Sequence, residues 1–384
     1  MSKKLVFKST ILASLLCFSA LAVGQGVGTV DPENAAWGNA KKFHHVKLAP
    51  SGSVTPLPKR EPRPNERSTV ERADRIFENN PALAMLLIDR GQIIYERYRA
   101  PADQTSPLFS WSMSKSLTAL TIGTMVCDGK IPDINQPAGK YSRELQGTIF
   151  GEASVKSLLT MSSGIATSQF VGNQKPGATK DDNEWMDMRA QRLSVTEFLK
   201  WDTHKQATRL FGGTVLPGTR FNYSSSDTLS LSNIADNNGG FVSAFTKGIW
   251  NQVGAENTGY WMLDKDNRAV AQSGFGASGR DWARMAMFSL RTLKDKDTCM
   301  GKFMADATRD HLSNSDRRVG KAFKGYGYQT WIADFGPNNS YWWVGFGGQR
   351  IGVDPVNERI IVLSSHQESY MDEIYRMFDQ WQRQ

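Results

Sequence analysis

Ser112 and Lys115 form a Ser-x-x-Lys pair within Phe109-Ser110-Trp111-Ser112-Met113-Ser114-Lys115-Ser116-Leu117. The residues that follow, Leu117 through Val126, are almost uncharged and mostly apolar, and Asp128-Gly129-Lys130 closes the run. This pattern predicts a buried helix of about four turns, stopped by Gly129 in a left-handed conformation. Residues three apart share a helix face, so the lysine hangs one turn beyond the serine on the same side. The helix start offers free N–H groups and the positive end of the dipole beside Ser112, which suits a developing alkoxide. No acid lies nearer in sequence than Asp103 or Asp128, so a lysine on this apolar helix is driven toward its neutral form. A neutral amine can take a serine proton, which is nucleophilic catalysis with its own base. An N-capping serine with a surface lysine would look the same, so the rest of the chain decides.

The elements that must hold this pair are readable on both sides of it. Ala82–Ile88 and Gln92–Tyr98 are strand-like runs around Asp89-Arg90-Gly91, a hairpin signal. Val155–Met161 reads as a helix that stops at Ser163-Gly164, and Val195–Trp201 as another. Between them, residues 170–188 are polar and carry Asp181, Asp182, Glu184 and Asp187, the character of a lid or a solvated loop. Pro217-Gly218-Thr219-Arg220-Phe221 is a turn entering Asn222-Tyr223-Ser224-Ser225-Ser226-Asp227, followed by a helix with Leu229, Leu231 and Ile234 on its apolar side. Asp281–Leu293 is helical. Tyr326–Ile332, Tyr341–Val344, Arg350–Asp354 and Arg359–Ser364 read as strands, and Met371–Trp381 as an amphipathic helix. Strands at both ends with mostly helices between predict an α/β (α+β) protein, with one sheet built from both chain ends and a helical insert. The expected organisation is a signal peptide over 1–24, an extended arm over 25–75 in which Ser68 caps a short helix, and a main domain over 76–384. Within that domain the sheet draws on about 76–110 and 255–384, and the insert on about 112–250.

Three landmarks follow in order: Ser112-x-x-Lys115, Tyr223-Ser224-Ser225, and Gly345-Phe346-Gly347-Gly348-Gln349. With Leu158-Leu159-Thr160-Met161-Ser162-Ser163-Gly164, Pro217-Gly218-Thr219 and Gly279-Arg280-Asp281-Trp282-Ala283-Arg284, the chain resembles the penicillin-recognising serine hydrolases in their class C β-lactamase branch. It looks most like family VIII esterases and 6-aminohexanoate-dimer hydrolases, over roughly residues 70–384. The resemblance implies a β-lactamase/transpeptidase-like fold and acyl transfer. Acyl transfer needs a nucleophile, a base, a proton donor and oxyanion N–H groups. Ser112 would be the nucleophile and Lys115 its base. Tyr223, as phenolate or sharing a proton with Lys115, would relay protons to the leaving group. Gly347 and Gly348 would let the backbone pass close to substrate. By analogy the oxyanion hole is the N–H of Ser112 with that of Gln349.

The chain departs from that family pattern twice. Ser225 stands where the tyrosine motif usually ends in asparagine, and Phe346 stands where the β-lactamase strand motif has its lysine. The cation that receives a penicillin carboxylate is therefore missing, with Arg350 and Arg220 as the substitutes to examine, while Trp342, Trp343 and Phe346 suggest an apolar wall. The expected activity is cleavage of a small-molecule ester or amide. The alternatives are a D,D-peptidase or β-lactamase, and, in another class, a non-catalytic envelope binding protein.

Composition sets the address. Lys3 and Lys4 precede an apolar run from Ile11 to Phe18, followed by small residues at Ala20, Ala22 and Gly24. This predicts a bacterial signal peptide cleaved near Ala22 or Gly24, too short to span a membrane, and a periplasmic or secreted enzyme. Its removal takes Lys3, Lys4 and Lys8 and lowers the formal charge from +8 to +5, a mild excess that suits work near anionic envelope polymers without requiring it, and no arginine-rich aromatic pattern argues for nucleic acid. Cys127 and Cys299 then remain; a disulfide is open to them, but Cys127 on a buried helix favours two unpaired thiols. No Gly-x-Ser-x-Gly elbow, His-Glu-x-x-His or dinucleotide fingerprint occurs, so no metal or other cofactor is expected. The oligomeric state is not encoded legibly.

Overall fold

The computed structural model describes residues 44–164, 216–314 and 320–384. The segments read as a lid or loop over 170–188 and as a helix over 195–201 lie outside these residues.

The hairpin forms where the sequence places it. Strands β2 (Ala82–Asp89) and β3 (Gln92–Tyr98) pair antiparallel around Arg90 and Gly91, both at positive φ, as a tight hairpin turn demands. All eight residues of β2 are buried, because its other neighbour comes from the far end of the chain. Strand β12 (Arg359–Ser365) lies beside it with Leu87 opposite Ile361, and β11 (Gln349–Asp354) beside β12. Strands β10 (Tyr341–Gly345), β9 (Trp331–Ala333), β8 (Phe323–Tyr326) and β7 (Leu312–Ser313) complete an eight-stranded antiparallel sheet of order β3-β2-β12-β11-β10-β9-β8-β7. The single strand expected over Tyr326–Ile332 is two strands. Gly327 N–H bonds to the Thr330 carbonyl and Gln329 takes a positive φ, so the chain reverses there.

Alternating side chains divide the core. Leu86, Ile88, Ile351, Val353, Ile360 and Val362 face helix α4 (Gly279–Lys294) and helix α2 (Met113–Cys127). Met85, Leu87, Ile361 and Leu363 face helices α1 (Arg67–Asn79) and α6 (Met371–Gln382). That is the period of two expected of a sheet covered on both faces. Ser68 does not cap α1: the helix starts one residue earlier, behind Glu66. The Glu66 carboxylate accepts the Arg63 N–H at 2.7 Å and pairs with Arg60 at 2.6 Å, so an ion pair fixes this end.

A second, four-stranded sheet of order β1-β5-β6-β4 was not anticipated. It joins β1 (His45–Leu48) from the arm, β5 (Gly259–Met262), β6 (Phe275–Ala277) and β4 (Leu108–Phe109). Helix α2 carries no charge but Lys115 and is buried along most of its length, with Gly129 past its end at positive φ. A Cβ on Gly123 would sit 2.6 Å from the ring of Phe303, so α5 (Cys299–Ala307) presses directly on α2. At that crossing Cys127 and Cys299, expected as free thiols, form a disulfide. The expectation failed because Cys127 is the last residue of α2, half-buried, and meets an exposed Cys299 at the first residue of α5. Among the described residues no helix is long and apolar enough to cross a membrane.

Candidate active site

The pairing of β4 with β6 aims the chain into α2. Ser110 N–H donates to the Phe275 carbonyl at 2.8 Å, and Ser110 Oγ accepts the Phe275 N–H at 3.1 Å while donating to the Ser273 carbonyl at 3.2 Å. The next residue, Trp111, has φ +44°, a conformation bulky residues adopt only where surrounding structure imposes it. Its ring is locked edge-on against Phe109 and Phe346, each at 5.4 Å. This kink converts strand to helix and leaves Ser112, half-buried, at the head of α2. The Ser112 side chain makes no capping bond to the helix, so the ordinary explanation of this serine does not hold. Its hydroxyl lies close enough to that of Tyr223 to draw the phenol's pKa down.

Lys115 is 1% exposed. Its Nζ donates to Ser225 Oγ at 2.9 Å and to the Gln272 carbonyl at 3.0 Å. Burial, with no counter-charge, pulls the amine from 10.5 down to about 7. A neutral amine has two N–H groups, and these two acceptors match them, leaving the lone pair to receive a proton. The Ser225 in the usual asparagine position thus serves the lysine with a hydroxyl.

Tyr223 precedes helix α3 (Ser225–Asn237), whose start Ser224 caps by accepting the Ser226 N–H at 3.2 Å. The phenol ring stacks on Trp331 at 5.3 Å, and Lys115 Nζ lies 5.4 Å from its centroid. Burial pushes the phenol well above its ordinary range, against the weaker pull of the Ser112 hydrogen bond and of Arg350. The resting tyrosine is therefore a neutral phenol rather than a standing phenolate. Behind it Gln329 ties the site together: its carbonyl accepts Ser116 Oγ at 2.6 Å, its Oε1 accepts Thr228 Oγ1 at 2.7 Å, and its Nε2 donates to the Leu158 carbonyl at 2.8 Å.

The glycine run forms the corner between β10 and β11. A Cβ on Gly345 would lie 2.3 Å from the Ser110 carbonyl and 3.2 Å from the Trp111 Cβ, so this glycine brings the corner against the nucleophile turn. Gly347 and Gly348 have φ of +72° and +92°, and a Cβ on Gly348 would lie 2.4 Å from the Gln367 carbonyl. Their conformational freedom shapes the corner. Gln349 opens β11 opposite Gly345, and its buried carboxamide donates to the Ser365 carbonyl at 2.6 Å and accepts from Ser364 Oγ at 2.7 Å.

Two further expectations are corrected. Trp342 and Trp343 are buried in the cores on opposite faces of the sheet, because adjacent strand residues point to opposite faces. Phe346, 57% exposed, is the member of that trio left at the surface beside Trp111. Arg350 is not a spare cation: it is buried, with Nε donating to Tyr375 Oη at 2.8 Å, Nη1 to the Gly345 carbonyl at 2.6 Å, and Nη2 3.5 Å from Glu368. Arg220 lies exposed in the turn before Phe221. Sequence reasoning missed Trp111, Gln272, Gln329 and Gly345. Of these, Gly345 alone carried a signal, as the first glycine of a run. Among the described residues no group of three His, Cys, Asp or Glu side chains could hold a metal ion.

Known proteins resemble this chain in sequence and in fold. The family profile described as Beta-lactamase matches residues 72–379. The 6-aminohexanoate-dimer hydrolase of Paenarthrobacter ureafaciens is 25% identical over 294 residues, covering 73% of this chain and 71% of that protein. A Bacillus anthracis structure assigned as a 6-aminohexanoate-dimer hydrolase superposes with a TM-score of 0.70 at 20% identity, covering 88% of this chain and 89% of the other. EstCE1, described as a hydrolase with promiscuous acyltransferase activity, superposes with a TM-score of 0.65 at 12% identity, covering 83% and 98%. With a family match across most of its length, the chain belongs to the beta-lactamase family, as a serine hydrolase of amide or ester bonds.

Proposed function

We propose that the protein cleaves a small, uncharged linear amide or ester through an acyl-enzyme on Ser112. The observation that carries this reading is the buried, counter-charge-free amine of Lys115 one helical turn from Ser112. In the first step Ser112 Oγ bonds to the acyl carbon and its proton passes to Lys115 Nζ. The tetrahedral intermediate then expels the leaving group, which takes a proton from the Tyr223 hydroxyl, and the lysine proton restores the phenol. Water repeats the sequence in reverse to free the acid. Backbone N–H groups of Ser112 and Gln349 are assigned to the oxyanion.

The names of the relatives support a linear amide or an ester: one is a 6-aminohexanoate-dimer hydrolase and another a hydrolase with acyltransferase activity. Phe346 in place of a cation, and Arg350 enclosed by Tyr375, Gly345 and Glu368, weigh against penicillins, whose carboxylate would be desolvated without a partner. We further propose export to the periplasm or medium, as the leader at residues 1–24 suggests and as a disulfide favours. A fluorophosphonate probe should label the wild type and not Ser112→Ala. Labelling that persists in the variant refutes the nucleophile assignment.

A further inference from the structure

Next to the residues that hold the lysine and the nucleophile turn, two buried polar side-chain atoms have no hydrogen bond. Gln272 is 2% exposed, its backbone carbonyl receives Lys115 Nζ, and its Oε1 is buried without a hydrogen bond. Ser273 is 5% exposed, its carbonyl receives Ser110 Oγ, and its own Oγ is buried without a hydrogen bond. The segment 272–275 therefore runs along the nucleophile turn, bonded to it at Ser110 and to the base at Lys115. Buried polar atoms in folded proteins are almost always paired, and unpaired ones call for an explanation. Here two stand on adjacent residues whose backbone carbonyls hold the base and the nucleophile turn, a place where a substrate could supply partners.

Gln272 Oε1 is an acceptor only, so what it lacks is an N–H or O–H donor. A secondary amide brings an N–H next to its carbonyl, and an ester brings nothing there. We propose that Gln272, with Ser273, forms a polar subsite that accepts the N–H of an amide substrate and makes the enzyme discriminate amides from esters. This rests on the reaction proposed above. A site built to bond a donor rejects analogues lacking it, because its buried groups are left unpaired.

The test compares kcat/KM for 4-nitrobutyranilide and 4-nitrophenyl butyrate in wild type, Gln272→Met and Ser273→Ala, with thermal melts of each. Gln272→Met should lower the anilide-to-ester ratio of kcat/KM on the order of 10-fold or more, each rate taken from the same variant. Ser273→Ala should shift the ratio in the same direction, and decides the matter if Gln272→Met fails to fold. A parallel fall on both substrates makes the pair structural and overturns the proposal. No change on either means that water satisfies these atoms, which also overturns it. Wild type that turns over neither substrate and is not labelled at Ser112 refutes the underlying reaction instead, and the subsite falls with it.

Discussion

Replacing Lys115 by methionine should change stability in a way that depends on pH, and the dependence follows from burial alone. The unfolded amine binds a proton below about 10.5, whereas the folded amine, desolvated and without a counter-charge, binds one only below about 7. Between these values the unfolded state carries one more proton than the folded state. Unfolding free energy therefore rises with pH there, by about 1.4 kcal/mol per unit. Below pH 7 both states are charged, and burying the lysine costs a constant amount, about 5 kcal/mol from the shift. Above 10.5 the cost vanishes. Methionine fills similar volume without this penalty but leaves the Gln272 carbonyl without its 3.0 Å donor, a loss of about 1–3 kcal/mol. Lys115→Met should thus be more stable than wild type by about 2–4 kcal/mol at pH 6 and less stable by about 1 kcal/mol at pH 10. Urea unfolding of both proteins at pH 6, 7, 8, 9 and 10 measures the difference, in which all other titrations cancel. A difference that stays flat from pH 7 to 10 shows that the lysine keeps its charge in the fold, and removes the basis for calling it a base.

Three further outcomes are expected. Gly345→Ala must push β10 away from the Ser110 carbonyl, which a Cβ would approach to 2.3 Å, so it should lower kcat at least about 10-fold with a stability loss of about 1–3 kcal/mol; unchanged kcat would disconnect the corner from catalysis. Cys127→Ser with Cys299→Ser should cost about 2–5 kcal/mol in urea unfolding, and reduction of the wild type by dithiothreitol should match it. Nitrocefin should be a far poorer substrate than 4-nitrophenyl butyrate by kcat/KM, and Phe346→Lys should narrow the gap by restoring a cation for the carboxylate; a wild type that prefers nitrocefin would contradict the apolar reading of this corner.

Patterns that depend on neighbours in sequence were legible. The hairpin at Arg90-Gly91, the apolar length of α2 with its Gly129 stop, and the terminal amphipathic helix each state their own periodicity or turn chemistry. What was hidden depends on partners distant in the chain. Ser68 looked like a cap until Arg60 turned Glu66 into the true boundary. Trp342 and Trp343 looked like one wall because adjacency in sequence conceals that a strand sends them to opposite cores. Cys127 looked enclosed because nothing local marks the residue at which α2 leaves the interior. Within the site, the types of Ser112, Lys115 and Tyr223 could be read, but the left-handed turn at Trp111 could not, since no tryptophan announces a positive φ.

The position of β12 governs how this chain can come into being. It is a central strand, flanked by β2 and β11, and Arg359 Nε reaches Asp89 Oδ1 across 270 residues of sequence. Until β12 leaves the ribosome, β2 has no neighbour on that side, and a strand apolar but for Asp89 stands open. Closure over such a separation is a slow event, and early chain termination anywhere before β12 splits the sheet rather than shortening it. Prematurely stopped chains should therefore be cleared as unfolded polypeptide, with no partly active fragment among them.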